Sequence, residues 1–234
     1  AAPPAAAGQS KLSATGKVPM SLTVKSKVEV PELIEKRRGQ IIAAAIELFA
    51  RDGYHVTTIR DIAKRADVSI GTIYQYVSDK EDVLFLTLIE VLDAYQRHVP
   101  AAIEGVNEPL ARLHAAVKAY CTVNDSKIGA TVLAYRETKS LPKTRRKLIQ
   151  EKELATNRLI SSCINDCIAA GLFEELDVEL FTYQIVMFAH AWALKAWRFR
   201  PMMTLDEYLA RGFRLMLNPK LTPRGKKAFT KLNV

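Results

Sequence analysis

The sequence contains no run of about 20 uninterrupted apolar residues, which is the length that a membrane-spanning helix needs. Its longest apolar segment, residues 181–196, is interrupted by Gln184, His190 and Lys195. The first residues do not show the basic and then apolar pattern of a secretory signal. We therefore expect a soluble protein that works in the cytoplasm and has no membrane partner.

Cysteine is scarce as well, with only Cys121, Cys163 and Cys167 in the chain. An odd number of cysteines without metal or disulfide spacing argues against a disulfide framework and against a zinc site. Cys163 and Cys167 are four residues apart, so they would share one face of a helix. We favour small buried side chains in a reducing compartment, with a redox-sensing pair as the alternative.

Signatures of catalysis are missing too. Residues 81–217 contain no glycine-rich phosphate loop, no paired metal ligands and no nucleophile elbow. The four histidines, at 55, 98, 114 and 190, are scattered, and each is more typical of a packed or surface side chain than of a ligand or base. The sequence thus predicts no catalytic residue, no metal site and no cofactor, and a protein that is not an enzyme.

Positive charge, in contrast, is plentiful at the two ends of the chain. Of the formal net charge of +9, residues 1–80 contribute +4, residues 81–217 contribute zero and residues 218–234 contribute +5. A basic N-terminal part suits a polyanionic partner such as DNA. Residues 1–28 lack periodicity, so we expect disorder there. The lysines of this segment are Lys11, Lys17, Lys25 and Lys27. They would either contact phosphates or belong to a solvated tail.

From residue 31 onwards, apolar residues recur at three- and four-residue spacing, which predicts an all-α fold. No segment alternates convincingly between apolar and polar residues, so we expect no sheet. The expected parts are a basic N-terminal segment (1–29), a three-helix domain (30–78), a larger helical domain (79–217) and a basic C-terminal tail (218–234). Prolines mark the joints between helices of the larger domain, which we place at 79–98, 107–126, 128–139, 142–170, 177–199 and 204–217.

The three-helix domain holds two short helices joined by a tight turn. Thr57 or Thr58 caps the first of them, with Asp61 placed to complete a capping box. Asp67 lies in the turn, where aspartate tolerates unusual backbone angles better than most residues, and Ser69 caps the second helix. Such a pair is a helix-turn-helix when its second helix can enter a major groove of DNA.

A specific combination of residues surrounds this turn. It comprises Ala45, Leu48, Phe49, Gly53, Thr57, Thr58, Ile62, Ala63, Ala66, Val68, Ser69, Thr72, Ile73, Tyr74, Tyr76 and Lys80. In this combination, residues 41–88 resemble the DNA-binding domain of the TetR family of transcriptional repressors. Two positions depart from the family pattern: Asp67 replaces a glycine, and Val77 replaces an aromatic residue. We expect a slightly strained turn at Asp67 and an unchanged fold.

The resemblance implies DNA contacts for the exposed positions of the two short helices. Phosphate contacts would come from Thr58, Arg60, Arg65, Tyr74, Tyr76 and Lys80, and base contacts from Ile70, Gly71, Thr72 and Gln75. Three of these residues each have an alternative role. Tyr74 would pack against the first helix, Gln75 would be a solvated side chain, and Lys80 would be an exposed lysine at a helix start. Two such domains, one DNA turn apart, would read a palindrome.

The resemblance also implies a homodimer that forms through the last two helices of the larger domain, 177–199 and 204–217. The first of these is apolar on more than one face, with Trp192 and Trp197 among its apolar positions, so it must be buried on two sides. The alternative is a monomer with one large core.

The remaining helices would enclose a chamber for a small-molecule effector, with no cofactor. Its candidate polar lining comprises Tyr95, His98, Tyr120, Tyr135, Arg136, Glu137, Asn157 and Asn165. Residues 134–142, followed by Arg145, Arg146 and Lys147, look similar to a segment of TetR members that respond to acyl-CoA thioesters. These basic residues either hold a phosphorylated head group or form a solvated helix start.

These features predict a ligand-responsive, DNA-binding transcriptional regulator. The reading that we favour is a repressor that a small hydrophobic effector, with an acyl-CoA as one candidate, releases from a palindromic operator. The alternatives are an activator and a nonspecific architectural DNA-binding protein.

Overall fold

The computed structural model describes residues 24–232 of the chain. Over this range the only β-type pairing is an isolated antiparallel bridge between Phe173 and Leu221. The helices are α1 (Pro31–Arg51), α2 (Ile59–Arg65), α3 (Ile70–Tyr76), α4 (Lys80–Ile103), α5 (Pro109–Ser126), α6 (Ile128–Glu137), α7 (Lys143–Ala169), α8 (Val178–Leu194), α9 (Ala196–Phe199), α10 (Leu205–Leu217) and α11 (Pro223–Lys231). Two short 3-10 helices lie at Thr138–Ser140 and Asn218–Lys220. The predicted all-α fold is confirmed.

Helices α1, α2 and α3 share a small core with the first half of α4. Ala45 of α1, Ile62 of α2, Ile73 of α3 and Leu84 of α4 are all fully buried in it. The small side chain at Ala45 lets neighbouring helices approach closely, and the larger ones fill the space between them. This core fixes α3 relative to the rest of the domain.

A second, larger core lies among α4, α5, α7, α8 and α10. Leu113 of α5, Ile164 of α7, Ile185 of α8 and Phe213 of α10 are buried at its centre. Helix α4 contributes to both cores, since Leu84 and Leu88 belong to the first and Val91 and Ala94 to the second. At 24 residues, or about 36 Å, α4 joins the two parts of the molecule, and α6 and α7 also contribute buried residues to both cores.

Two helix boundaries differ from those expected. Helix α4 continues to Ile103 with Pro100 inside it, although a proline removes a backbone hydrogen bond and disfavours a helix interior. The adjacent Val99 is fully buried in the second core, and this packing holds the helix through the proline. The helix expected at 177–199 is interrupted at Lys195, whose φ of −120° and ψ of 28° are not helical, so α8 and α9 are separate.

The C-terminal segment, which the sequence suggested to be a basic tail, forms a helix as far as residue 231. Helix α11 docks on the larger core through Phe229, and the Thr222 hydroxyl donates to the Gly171 carbonyl over 2.8 Å. A Cβ atom at Gly225 would come within 2.0 Å of the Leu172 carbonyl oxygen. A glycine is therefore required where α11 meets this backbone.

The expectation of disorder over residues 1–28 is wrong for its last part. Residues 24–28 pack against the three-helix core, with Val24 buried. The sequence contains no periodic signal for this, because the segment is held by single contacts: the Lys27 amide and Ser26 hydroxyl donate to Gln75, and the Arg38 guanidinium donates to the Val24 carbonyl. Lys11 and Lys17, by contrast, lie outside the described residues.

The three cysteines are buried and unpaired. Burial raises the pKa of the Cys121 and Cys167 thiols to about 12, so both stay protonated, whereas a reactive cysteine needs thiolate character. This favours the interpretation of small core side chains over a redox pair. No helix within residues 24–232 is both long and apolar enough to span a membrane.

Candidate DNA interface and ligand chamber

The N-terminus of α2 is closed by the predicted capping box. The Thr58 hydroxyl accepts from the Asp61 amide over 3.2 Å, and the Thr58 amide donates to the Asp61 carboxylate over 2.9 Å. The Thr58 hydroxyl also lies 2.6 Å from the same carboxylate. The hydroxyl and amide of Thr58, predicted to meet a phosphate, are thus both already paired with Asp61.

The turn between α2 and α3 has the unusual backbone expected at Asp67, whose φ is 54°. The Val68 amide donates to the Ala63 carbonyl over 3.0 Å, which closes the end of α2. Ser69 then caps α3 by accepting from the Thr72 amide over 2.9 Å. These local bonds set the direction in which α3 leaves the turn.

Helix α3 presents one face to solvent and one to the core. All four predicted base-contacting residues lie at the surface: Ile70, Gly71 and Gln75 are exposed, and Thr72 is half-buried. Tyr74 is 44% exposed, so packing against α1 is not its main role. Beside it, a shallow depression is lined by Thr58, Ile59, Arg60, Ile70 and Tyr74.

Tyr76, predicted to contact phosphate, is only 3% exposed. Its ring belongs to the core that α1, α3 and α4 share. Residues two apart on a helix point in nearly opposite directions, so Tyr74 faces outwards and Tyr76 inwards. The structure therefore assigns the Tyr76 side chain a packing role.

The Lys80 ammonium, also predicted to contact phosphate, is turned inwards. It donates to the backbone carbonyls of Tyr54, His55 and Thr57 over 2.8, 3.1 and 2.8 Å, and lies 4.7 Å from the centre of the Tyr54 ring. All three ammonium hydrogens are thereby used. Lys80 fixes the loop between α1 and α2, and this explains a lysine at a helix start, where the helix dipole disfavours it.

The two arginines that flank the surface differ. Arg60 is exposed and lines the depression beside Tyr74. Arg65 forms an ion pair with Glu47 of α1, and the hydrogen bond from Arg65 lowers the pKa of Glu47. Arg60 is therefore free to meet a phosphate, whereas Arg65 has a partner within the domain.

A cavity of about 320 Å³ lies between α4, α5, α6, α7 and α8. Its walls are mainly apolar, with a few polar groups at defined places, as in many small-molecule sites. The lining residues are Leu88, Val91, Leu92, Tyr95, Tyr120, Thr131, Ala134, Tyr135, Thr138, Ile149, Gln150, Glu153 and His190.

His190 joins two tyrosines across this chamber. Its Nε2 atom lies 3.2 Å from the Tyr120 hydroxyl, and its Nδ1 atom lies 2.7 Å from the Tyr135 hydroxyl. Burial lowers the pKa of His190 to about 4, so the ring is neutral near pH 7. We call the chain of hydrogen bonds from Tyr120 through His190 to Tyr135 the relay. A neutral imidazole donates from one nitrogen and accepts at the other, so the hydrogen bonds of the relay run in one direction in any one tautomer.

Further polar groups lie near the Tyr120–His190–Tyr135 relay. The Tyr95 ring stacks on Tyr120 with centroids 3.9 Å apart, and its hydroxyl donates to the Asn124 side chain over 2.6 Å. Burial raises the pKa of the Glu153 carboxyl on the opposite wall. One turn further along α7, Asn157 is 5% exposed, and neither polar atom of its amide has a hydrogen-bond partner. Hydrogen-bonding capacity is therefore unused next to the chamber.

Comparison with known proteins identifies the family to which this chain belongs. A family model described as bacterial regulatory proteins of the tetR family matches residues 41–86, and one described as the tetracyclin repressor-like C-terminal domain matches residues 106–194. The HTH-type transcriptional regulator HbdR of Aromatoleum sp. (strain CIB) is 51% identical over 210 residues, which cover 90% of this chain and 92% of HbdR. The chain belongs to the TetR family.

Solved TetR-family structures share the fold. The crystal structure of a tetR-family regulatory protein from Rhodococcus RHA1 superimposes with a TM-score of 0.71 at 26% identity, covering 78% of this chain and 95% of that one. AibR, solved in complex with isovaleryl coenzyme A and operator DNA, superimposes with a TM-score of 0.66, covering 76% of this chain and 97% of AibR. At 16% identity, AibR shares the fold alone. TetR-family proteins are transcriptional regulators, and so is this chain.

The candidate ligand residues of this TetR-family chain fall into two groups. Tyr95, Tyr120 and Tyr135 line the chamber, as expected. The other candidates do not belong to its wall: His98, Arg136 and Asn165 are exposed, Glu137 accepts from the Ser140 hydroxyl, and Asn157 lies beside the chamber. His98 and Arg136 point to solvent because of where they fall around α4 and α6, which residue type does not reveal.

Sequence reasoning missed His190 and Glu153. His190 had one available signal, since it interrupts an otherwise apolar helix whose buried faces require every polar group to have a partner. Glu153 had none, because α7 carries many charged residues, and residue type does not distinguish Glu153 from an exposed one such as Glu151.

The basic residues near the start of α7 do not converge on the chamber. Arg145 forms ion pairs with Glu81, over 3.0 Å, and with Asp82, and its guanidinium lies 4.9 Å from the centre of the Phe85 ring. Lys143 and Lys147 are exposed. Arg145 thus ties α7 to the first turn of α4 and is not available for a ligand phosphate.

Several apolar side chains of the last helices face outwards. Trp192 is buried, but Trp197, expected among the buried positions, is 75% exposed. Leu180 and Met187 of α8 and Leu215 of α10 are exposed as well. In this single chain each of these four side chains is exposed to solvent.

Proposed function

We propose that this TetR-family regulator is a homodimeric repressor of a palindromic operator, released by a small hydrophobic effector. The observation that carries the proposal is α4, which runs from the helix-turn-helix into the wall of an apolar chamber. An acyl-CoA is the effector class that we favour. The protein would act on DNA in the cytoplasm, without catalytic activity and without a cofactor.

The exposed face of α3 is proposed to enter the major groove. Ile70, Gly71, Thr72 and Gln75 would meet the base edges, with Gly71 allowing a close approach and Gln75 able to pair with an adenine. Arg60 and Tyr74, at the depression beside α3, would bind phosphates and fix the orientation. The helix-turn-helix at residues 30–78 is therefore the proposed DNA-binding domain.

The chamber between α4 and α8 is proposed to receive the effector. Its apolar walls suit an acyl group, and the Tyr120–His190–Tyr135 relay offers hydrogen bonds to a carbonyl oxygen. At about 320 Å³, the volume is at the lower end of the range for small-molecule pockets. A nucleotide would have to lie outside, beyond the exposed Gln150. AibR, with isovaleryl coenzyme A and operator DNA in one complex, supports this ligand class.

The outward apolar residues of α8 and α10 are proposed to pair with those of a second chain. Leu180, Met187 and Leu215 are the exposed apolar side chains of these two helices. Their burial would be favourable by about 25 cal/mol for each Å² of apolar surface. A twofold dimer would place two copies of α3 against successive major grooves.

Release is proposed to follow a population shift. The chamber lies against α4, and Arg145 of α7 holds the first turn of α4 through Glu81 and Asp82. An effector that prefers a different position of α7 would move α4 and, with it, the spacing of the two copies of α3. The loss of DNA affinity can be no larger than the difference in effector affinity between the two states.

The proposal is tested in two steps with the full chain. Repeated selection from a pool of random-sequence duplexes should enrich a palindrome, and native mass spectrometry should show a dimer. Addition of short- and medium-chain acyl-CoAs should then release the enriched duplex. Enrichment of no sequence would indicate a nonspecific DNA-binding protein, whereas tighter binding with acyl-CoA would indicate a different mode of regulation.

A further inference from the structure

Residues 24–30, which we call the arm, precede α1 and lie against the end of α3. Their burial alternates from residue to residue: Val24 is buried, Ser26 and Val28 are half-buried, and Lys25, Lys27 and Glu29 are exposed. Such alternation is typical of an extended segment, in which every second side chain points the same way. Lys25 and Lys27 therefore share the outward side.

Hydrogen bonds connect the arm to α3. The Lys27 amide and the Ser26 hydroxyl both donate to the Gln75 carbonyl, over 2.8 and 3.1 Å. Ser26 in turn accepts from the Val28 amide over 3.1 Å, which holds its hydroxyl in place. The arm thus satisfies a carbonyl at the C-terminal end of α3, where α-helices leave such groups without partners.

Arg38 of α1 completes this connection. Its guanidinium donates to the Tyr76 carbonyl over 3.0 and 3.2 Å and to the Val24 carbonyl over 2.6 Å. One side chain therefore links α1, the end of α3 and the beginning of the arm. The position of the arm relative to α3 is fixed by these contacts together with the burial of Val24.

The arm adjoins the proposed DNA-reading face. Gln75 supplies the carbonyl that accepts from the arm, and its own side chain is exposed on that face. A helix in the major groove has the phosphate backbone along its flanks, so cations next to its end are placed to meet phosphates. Glu29, the one acidic residue of the arm, is exposed in the same alternation two residues after Lys27, so the two lysines leave the arm with a net positive charge.

We propose that the arm is a second DNA contact, in which Lys25 and Lys27 bind phosphates that flank the bases under α3. This inference rests on the proposed function, since it requires α3 to lie in a major groove. It adds a contact that the helix-turn-helix itself does not contain. The two lysines contribute affinity without sequence preference, because phosphates are the same at every site.

The salt dependence of DNA binding measures this contribution. Each phosphate neutralised lowers the slope of log K against log salt by about 0.9 for duplex DNA. Two lysines on each of two subunits amount to four phosphates, so replacing all of them should reduce the steepness of the slope by up to about 3.6. The loss should be equal on specific and on random-sequence DNA.

The experiment compares Lys25→Gln/Lys27→Gln with the unmodified full chain, by fluorescence anisotropy on a random-sequence duplex and on the selected operator. The matched control is Lys226→Gln/Lys227→Gln in α11, which removes the same charge from two exposed lysines of the other domain. Lys25→Arg/Lys27→Arg keeps the charge and should retain the unmodified slope.

A reduced slope in the glutamine variant of the arm alone, with an operator footprint that shortens at its outer edges, supports the arm contact. Equal slopes for the arm and α11 variants would overturn it. If selection yields no preferred sequence, the repressor proposal fails, while the random-sequence duplex still decides whether the arm binds phosphates.

Discussion

A single aspartate sets the angle between the two helices of the DNA-binding motif. Asp67 is the one non-glycine residue with positive φ in the described part of the chain. A left-handed conformation costs an L-residue roughly 1–2 kcal/mol, and a glycine there costs about 0.5–1 kcal/mol more chain entropy. The difference leaves a modest strain that a glycine would relieve.

We therefore expect Asp67→Gly to raise the free energy of unfolding by about 0.5–1 kcal/mol, as measured by denaturant unfolding. The control is Asp52→Gly at the end of α1, where φ is −102° and no strain exists. Asp52→Gly should lower stability through chain entropy and through loss of the two hydrogen bonds from the Arg51 guanidinium, each 2.7 Å long. Equal effects of the two substitutions would show that the Asp67 turn is unstrained.

Tyr74 and Tyr76 provide a matched pair of tyrosines on opposite sides of α3. Tyr76→Ala removes a buried ring and should cost about 3–5 kcal/mol of stability. Tyr74→Ala should change stability by less than about 0.5 kcal/mol, as expected for a surface site, but should weaken DNA binding. Thermal unfolding and anisotropy titrations measure both quantities. The reverse pattern would mean that Tyr76 contacts DNA and Tyr74 supports the fold.

At the scale of helices, the chamber is held together by polar bonds between elements. His190 of α8 joins Tyr120 of α5 and Tyr135 of α6, so the three helices share one relay. Because the pKa of His190 is about 4 when folded and about 6.5 when unfolded, the unfolded chain binds the proton more tightly. Stability from this group is therefore complete above pH 6.5 and decreases as the pH falls towards 4.

His190→Gln removes the titrating group and keeps a polar side chain. The unmodified protein should lose up to roughly 3 kcal/mol more stability than the variant between pH 6.5 and pH 4. His98→Gln, at an exposed position on α4, is the control and should leave the pH profile unchanged. Parallel profiles for His190→Gln and the unmodified chain would contradict a neutral, buried His190.

Across the whole molecule, the two cores are coupled where α7 meets α4. Asp82 is buried and accepts from the Ser78 amide over 2.7 Å, and it also pairs with Arg145. A buried charge that loses its partner is strongly destabilising. The pair therefore holds α4, α7 and the loop before α4 in one arrangement.

A double-mutant cycle of Arg145→Met and Asp82→Asn should give a coupling energy of about 1–3 kcal/mol in thermal unfolding. The exposed pair Lys147–Glu151, 3.8 Å apart within α7, is the control and should give about 0.5 kcal/mol or less. Coupling near zero for Arg145 and Asp82 would remove them from the connection between chamber and DNA-binding domain. With coupling present, Arg145→Met should also diminish the release of DNA by effector.

The helix caps and the turn were predicted from the sequence because they depend on residues that are close together in the chain. The capping box of Thr58 and Asp61, the cap at Ser69 and the turn at Asp67 each involve residues at most five positions apart. Helical periodicity likewise gave the helices and the absence of a sheet in the described part of the chain. Pattern and propensity therefore determined the fold class and the motif.

Tertiary structure alone decided which of these residues face the DNA or the effector. Lys80 is bound by carbonyls more than 20 positions earlier, Arg145 by carboxylates more than 60 positions earlier, and His190 by tyrosines 55 and 70 positions away. The relative rotation of packed helices selects these partners, since a long polar side chain can reach several of them. The sequence alone thus determined that a helix-turn-helix precedes a helical domain, whereas packing decided which side chains form the DNA face, the domain junction and the chamber.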